Sequence, residues 1–244
     1  MSASERIIVG GQEIVLSVRR TSRRKTIALS FGADGLKVLA PAELSDREVR
    51  AFIDRKREWV LKKHAGFEEV GGLHPPREFV SGEAFSYLGR TYRLRIYSAE
   101  DASQRGAALR GGIFEVPVRS DERGAGEALA VRRRLRAWYE KRARVKLIER
   151  MGLYCDRLGL KMPAVRLANQ QKRWGSCDKE GTLRFNWRIV MAPIALVDYV
   201  VAHELCHIIE HNHSSRFWRL LETTYPDMNA ARERLRREGH RYYF

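Results

Sequence analysis

Apolar and polar positions along this chain recur with two different periods, and the change of period marks its elements. Ile14, Leu16 and Val18 alternate with polar neighbours, the period-two pattern of a half-buried strand. Thr26 to Phe31 and Leu36 to Leu39 flank Gly32-Ala33-Asp34-Gly35, a turn signal, and predict a hairpin. Further strands are predicted at 84–88, 91–97 and 112–118, with Gly89-Arg90 turning between the first two. Helical spacing begins at Ser45-Asp46-Arg47-Glu48, a capping box, and Phe52, Ile53, Trp59, Val60 and Leu61 supply the buried side of one helix running to about His64. A much longer helix is predicted from about Glu127 to Leu158, with Leu135, Trp138, Tyr139, Leu147, Met151 and Tyr154 in its apolar stripe and Gly159 closing it.

After a short strand at 165–168, the stretch 182–190 alternates cleanly. Leu183, Phe185, Trp187 and Ile189 face one way; Arg184, Asn186 and Arg188 face the other. Pro193 opens another helix, Ser214 or Ser215 can cap the next, and a last basic helix spans 227–238. No internal repeat is evident. The pattern predicts an α+β protein with a β-rich N-terminal region holding one helix (residues 1–120), suited to docking a substrate or partner, and a second domain (121–244) built on the long helix, a small sheet and the helix that follows Pro193. Gly71-Gly72 and Pro75-Pro76 mark a linker inside the first region.

The helix after Pro193 carries the chemistry. His203-Glu204-Leu205-Cys206-His207 is an H-E-x-x-H pattern. Its two histidines lie one turn apart on one face, where two imidazoles can hold one zinc ion, while Glu204, about 100° round the helix, reaches a water rather than the metal. Val197, Val201, Leu205 and Ile208 fall on the opposite side, so the helix packs one face and turns its histidines outward. A catalytic zinc needs a third protein ligand. His211 is too far along the same stripe, about 12 Å from His203. His213 follows Asn212, which tolerates the left-handed conformation found after helices, and it is the favoured third ligand; Glu222 is the less favoured one. The spacing equals that of H-E-x-x-H-x-x-G-x-x-H zinc proteases, except that Glu210 stands where they have glycine.

Charge adds a second theme. The 244 residues include 46 Lys and Arg against 30 Asp and Glu, a net +16. Such an excess favours polyanionic partners, nucleic acid among them, through the basic outer face of the long helix at Arg132, Arg133, Arg134, Arg136, Lys141, Arg142, Arg144 and Lys146; Arg19, Arg20, Arg23, Arg24 and Lys25 form a second cluster. An apolar fraction of 44% with 31% charged residues is that of a soluble globular protein. The start lacks the pattern of a secretory leader, the most apolar run is broken by Pro193, Asp198, His203 and Glu204, and the three cysteines show no paired spacing. A cytoplasmic protein without a membrane span and with reduced thiols is the expectation.

Arg173-Trp174-Gly175-Ser176-Cys177, Phe185-Asn186-Trp187-Arg188, the run Asp198 to His207, Asn212-His213-Ser214 and Phe217-Trp218 together resemble the YgjP-like metallopeptidases, relatives of the SprT-like group. The specific motifs cover about residues 169–221; the N-terminal arginine-rich hairpin and the helix ending Lys56 to Val60 extend the likeness. The resemblance implies a zincin-type core and one zinc per chain on His203, His207 and His213. It also implies Glu204 as the catalytic residue; the H-E-x-x-H arrangement on a helix, mainly that of peptidases, adds the expectation of a protein or peptide substrate. Tyr199, one turn before His203, is a candidate to steady the oxyanion, as are Arg173 and Arg188. If the 182–190 strand edges the cleft, an extended substrate adds to it, with Arg173, Asn186 and Arg188 nearby. Two rival readings stand beside this one: a basic nucleic-acid-associated protein with a structural or vestigial zinc, and a zinc hydrolase acting on a non-peptide bond.

Overall fold

The computed structural model describes residues 4–22, 25–32, 35–68, 77–102, 105–170 and 173–244. Residues Met1–Pro76 form one compact unit and Arg77–Phe244 another. The chain therefore parts after residue 76 and not at 120, because the second group of strands buries Phe85, Leu94, Phe114 and Val116 in the same core as Trp138, Tyr139 and Leu147 of the long helix. The linker signals Gly71-Gly72 and Pro75-Pro76 lie outside the described residues, as do Arg23, Arg24, Ala33 and Asp34.

In the first unit, β1 (Ser4–Val9), β2 (Gln12–Thr21), β3 (Ala28–Gly32) and β4 (Gly35–Pro41) form a sheet in the order β1-β2-β4-β3. The outer pairs are antiparallel hairpins and the inner pair β2/β4 is parallel. Ile14, Leu16, Leu36 and Val38 bury the inner face against Val49, Ile53 and Val60. Two helices supply those last three residues where one was expected: α1 (Asp46–Arg55) and α2 (Arg57–Glu68). The predicted capping box is present, with Glu48 N–H donating to Ser45 Oγ and Ser45 N–H donating to Glu48 Oε2 at 2.8 Å. Lys56 ends α1 at φ −102°, ψ 16°, with its N–H bonded to the carbonyls of both Phe52 and Ile53; helical periodicity continues through that break, so spacing alone does not show it.

The second unit opens with β5 (Ala84–Tyr87), β6 (Arg90–Ser98), β7 (Ala108–Arg110) and β8 (Ile113–Val118), in the order β5-β6-β8-β7. Again two antiparallel hairpins join through a parallel inner pair, β6/β8. The topology of the first sheet is thus repeated without an evident sequence repeat. The long helix α3 (Glu127–Leu158) packs on this sheet and ends at Gly159, whose φ of 64° is the left-handed cap expected there. Tyr139, fully buried, donates its hydroxyl to the Ser86 carbonyl at 2.7 Å and ties helix to sheet.

Three short strands follow in the order β10-β11-β9: β9 (Val165–Ala168), β10 (Gly175–Cys177) and β11 (Leu183–Asn186). β11 is central, parallel to β9 and antiparallel to β10. The predicted 182–190 strand is therefore shorter and does not edge its sheet; after Asn186 the chain winds into a 3₁₀ turn over Trp187–Met191. Asn186 starts that turn by accepting the Arg188 N–H at 3.1 Å. Then come α4 (Ile194–Ile209), α5 (Ser215–Thr224), capped by Ser214, and α6 (Met228–Glu238). The β5–β6 turn rests on the start of α4. Leu88 N–H donates to Val190 O at 2.8 Å, and a Cβ on Gly89 (φ 79°) would lie 2.9 Å from Pro193 Cα. On the far side Arg150 of α3 grips Asp198 of α4 with two bonds of 2.5 and 2.8 Å. Among the described residues no helix is long and apolar enough to cross a membrane.

Candidate metal centre

α4 is largely enclosed. Leu196, Val197, Val201, Ala202, Leu205 and Cys206 are all almost fully buried, so the remaining positions are held in place by packing on the other side. Those positions include His203 and His207. α4 stops at Ile209, two residues earlier than a helix continuing to His211 would require, and Glu210 adopts an extended conformation (φ −126°, ψ 99°). The turn that glycine makes in the related protease pattern is thus made here by an extended residue. It gives Glu210 a second use: its carbonyl accepts a hydrogen bond from His207 Nδ1–H at 3.1 Å, which leaves Nε2 as the lone-pair nitrogen.

The turn brings His213 back. Its Nε2 stands 3.1 Å from Nε2 of His203, and one ring nitrogen from each of His203, His207 and His213 lies within 4.8 Å of the others. Among the described residues this triad is the group of His, Cys, Asp and Glu placed to share an ion. His211, Glu222, Cys177 and Cys206 do not join it; Cys206 is buried with its Sγ 4.0 Å from Thr224 Oγ1. Phe217 stacks on His207 (4.5 Å, 26°) and Trp218 on His213 (5.3 Å, 21°), so two aromatic rings of α5 fix the planes of two imidazoles. Arg232 of α6 lies over the Trp218 ring at 4.9 Å.

The residues fit a metal ion. Two nitrogens on one tetrahedral zinc, at about 2.0–2.1 Å each, sit about 3.3 Å apart. His203 and His213 are already near that separation. Burial first, then the neighbouring His207 and His213, pushes the His203 pKa down to about 3, so the ring is neutral and able to ligate at any physiological pH. Its Nδ1 is buried without a hydrogen-bond partner among the described residues, a desolvated imidazole whose cost a cation at the other nitrogen would offset.

Glu204 follows His203 on α4 and is 6% exposed. Burial drives its pKa up to about 8, against the opposing pull of Arg173. The space it occupies is made by Gly175 on β10: a Cβ there would stand 2.5 Å from Glu204 Oε1 and 2.6 Å from its Cγ. β10 is an edge strand of its sheet and runs next to α4. Sequence reading singled out Gly175 only as part of a motif; its steric role depends on a contact across 29 positions, which no local pattern reveals.

The remaining candidates divide. Tyr199 is buried one turn before His203, with ring centroids 5.9 Å apart, and burial raises its pKa. Arg173 is exposed and close enough to influence Glu204. Asn186 and Arg188 are both buried and turned to structural work. Asn186 donates to Gln170 O at 2.6 Å and its own N–H meets Trp174 O at 2.8 Å; Arg188 bonds Asn169 Oδ1 at 2.6 Å and Phe244 O at 3.2 Å and lies 4.2 Å from the Trp187 ring centre. They brace the loop that carries Trp174 and Gly175, and so support the floor under Glu204.

A family model described as YgjP-like, metallopeptidase domain, matches residues 25–238. The chain belongs to the YgjP-like metallopeptidase family. Membership carries the expectation of a metal ion, typically zinc, and of hydrolysis. No curated protein and no solved structure matches the chain.

Proposed function

We propose that this YgjP-like protein is a zinc peptidase, with His203, His207 and His213 as metal ligands and Glu204 as general base. The observation that carries the reading is the pairing of a three-nitrogen cluster with a buried carboxylate that Gly175 makes room for. A bound zinc supplies Lewis acidity, polarising a carbonyl and bringing the pKa of a coordinated water to about 7.

The chain's own groups do the rest. Glu204 accepts the proton of the attacking water and passes it to the leaving amine. Its pKa of about 8 without metal means that it holds a proton readily, and a cation on the triad favours the carboxylate form needed to accept one. Glu210 fixes the His207 tautomer through Nδ1, and Phe217 and Trp218 hold the ring planes. Tyr199 is our candidate for steadying the developing oxyanion, with Arg173 at the rim. β10, as the edge strand beside Glu204, takes over the place that sequence reading gave to the 182–190 strand as the line along which an extended peptide can pair. A purely structural zinc site would close its fourth position with a side chain, and among the described residues no fourth ligand joins the triad.

Glu204→Gln tests the reading. The variant is expected to keep its metal and lose peptide-hydrolysing activity by about 10²–10⁴-fold. Wild-type-like turnover in that variant would remove Glu204 from the mechanism.

A further inference from the structure

Along α3, facing the edge strand β7, positive charge is laid down in two parallel rows. Arg133, Ala137 and Lys141 follow one another at i, i+4 spacing, and so do Arg134, Trp138 and Arg142. With Ala102 and the stretch 106–110 they enclose a groove of about 830 Å³. Its lining holds five basic residues, Arg110, Arg133, Arg134, Lys141 and Arg142, and among the described residues no acid.

The floor is built. Arg134, 7% exposed, donates Nε to the Ala102 carbonyl at 3.2 Å and pairs with Glu122 at 2.8 Å. Glu122 also takes Arg133 at 3.0 Å, so a single carboxylate serves two guanidiniums. Arg110, Lys141 and Arg142 are exposed. The groove is thus a concave, net-positive surface on rigid elements.

Two features choose the occupant. β7 pairs with β8 on one side and ends its sheet on the other, so it offers backbone N–H and C=O groups to an added strand. Trp138, the one aromatic of the lining among the described residues, is 8% exposed and boxed in by Tyr87, Phe114 and Tyr139, so it gives no platform for stacking bases. The rows from 133 to 142 run about 13 Å along the helix, the length of about four extended residues.

We propose that the groove between β7 and α3 docks an acidic, extended peptide segment, which pairs with β7 and sets its carboxylates against Arg110, Arg133, Lys141 and Arg142. As an exosite it rests on the peptidase reading, since it would recruit protein substrates with acidic stretches; the binding itself does not.

The test is fluorescence anisotropy with labelled deca-glutamate on the full chain carrying Glu204→Gln, so that nothing bound is cut. Saturable binding is expected, weakened at least tenfold by Lys141→Glu with Arg142→Glu, two exposed changes whose folding is checked by circular dichroism. Deca-glutamate N-methylated at alternate residues should also bind at least tenfold more weakly. Undiminished binding in the double variant, equal binding of a neutral decapeptide, or equal binding of the N-methylated peptide would overturn the proposal. So would a single-stranded decanucleotide that binds more tightly than the peptide and is lost in the same double variant, which would give the groove to nucleic acid. Failure of the wild type to cleave any peptide would count against the peptidase reading and leave this result standing.

Discussion

At Gly175 a single methyl group would meet Glu204 within 2.5 Å, with β-strand pairing to Phe185 preventing an easy retreat. Gly175→Ala should therefore displace the carboxylate. The expected result is a loss of activity of about 100-fold with metal content unchanged, measured by peptide hydrolysis beside elemental analysis. The pKa of Glu204 gives a second prediction. Its folded value of about 8 lies above the ordinary 4.5, so the metal-free protein keeps a proton there that the unfolded chain has lost, and stability falls as pH rises from 4.5 to 8. His203, lowered from 6.5 to about 3, works the other way, adding stability as pH rises from 3 to 6.5. Above pH 6.5 the Glu204 contribution stands alone of the two. Metal-free wild type should lose thermal stability between pH 6.5 and 8, and Glu204→Gln should lose less; parallel curves would refute the burial argument. The faces of His203, Glu204 and His207 were legible in the sequence because helical spacing dictates them, whereas His213 depended on the helix ending before it. The bonds of Asn186 to Gln170 and of Arg188 to Asn169 and Phe244 were not legible, because alternation shows that a residue leaves one face, not what meets it on the other.

Elements broke where side chains or local backbone bonds overrode a continuing pattern. The alternation at 182–190 outlasts its strand because Trp187, Ile189, Val190 and Met191 are all buried, on a turn that Asn186 caps. β7 and β10, of three residues each, are too short to leave a periodic signal. The capping box, the Gly159 cap, the extent of α3 and the start of α5 were readable, since each rests on a local bond or on many turns of spacing. The α3–α4 connection is a different matter. Asp198 is 8% exposed and its bidentate partner Arg150 is also largely covered. Asp198→Ala leaves the guanidinium short of its partner, and urea unfolding should show about 3 kcal/mol lost, with α4 and its histidines loosened. A loss within error would mean the pair is fully replaced by water.

Over the whole molecule the chain is two cores in sequence, each beginning with the same arrangement of two hairpins joined through a parallel inner pair. That duplication was invisible in the sequence because topology constrains which positions are apolar and not which residues fill them. The division after Pro76 follows from the same cause: strands β5–β8 looked like a continuation of the N-terminal β-rich region until Phe85 and Phe114 were seen packed on α3. Since the proposed metal ligands and their supports all lie in the second core, residues 77–244 expressed alone should fold and bind metal as the full chain does. Near-ultraviolet circular dichroism with metal analysis checks this; a fragment without fixed aromatic signals would show that the first unit is needed for folding.

The most direct test of the account is the zinc content of the full chain purified without added metal or a histidine tag, measured beside His213→Ala. About one zinc per wild-type chain and a clear loss in the variant are predicted. A folded wild type that carries no metal and takes up none on adding zinc would contradict the metal centre, and with it the peptidase built on it.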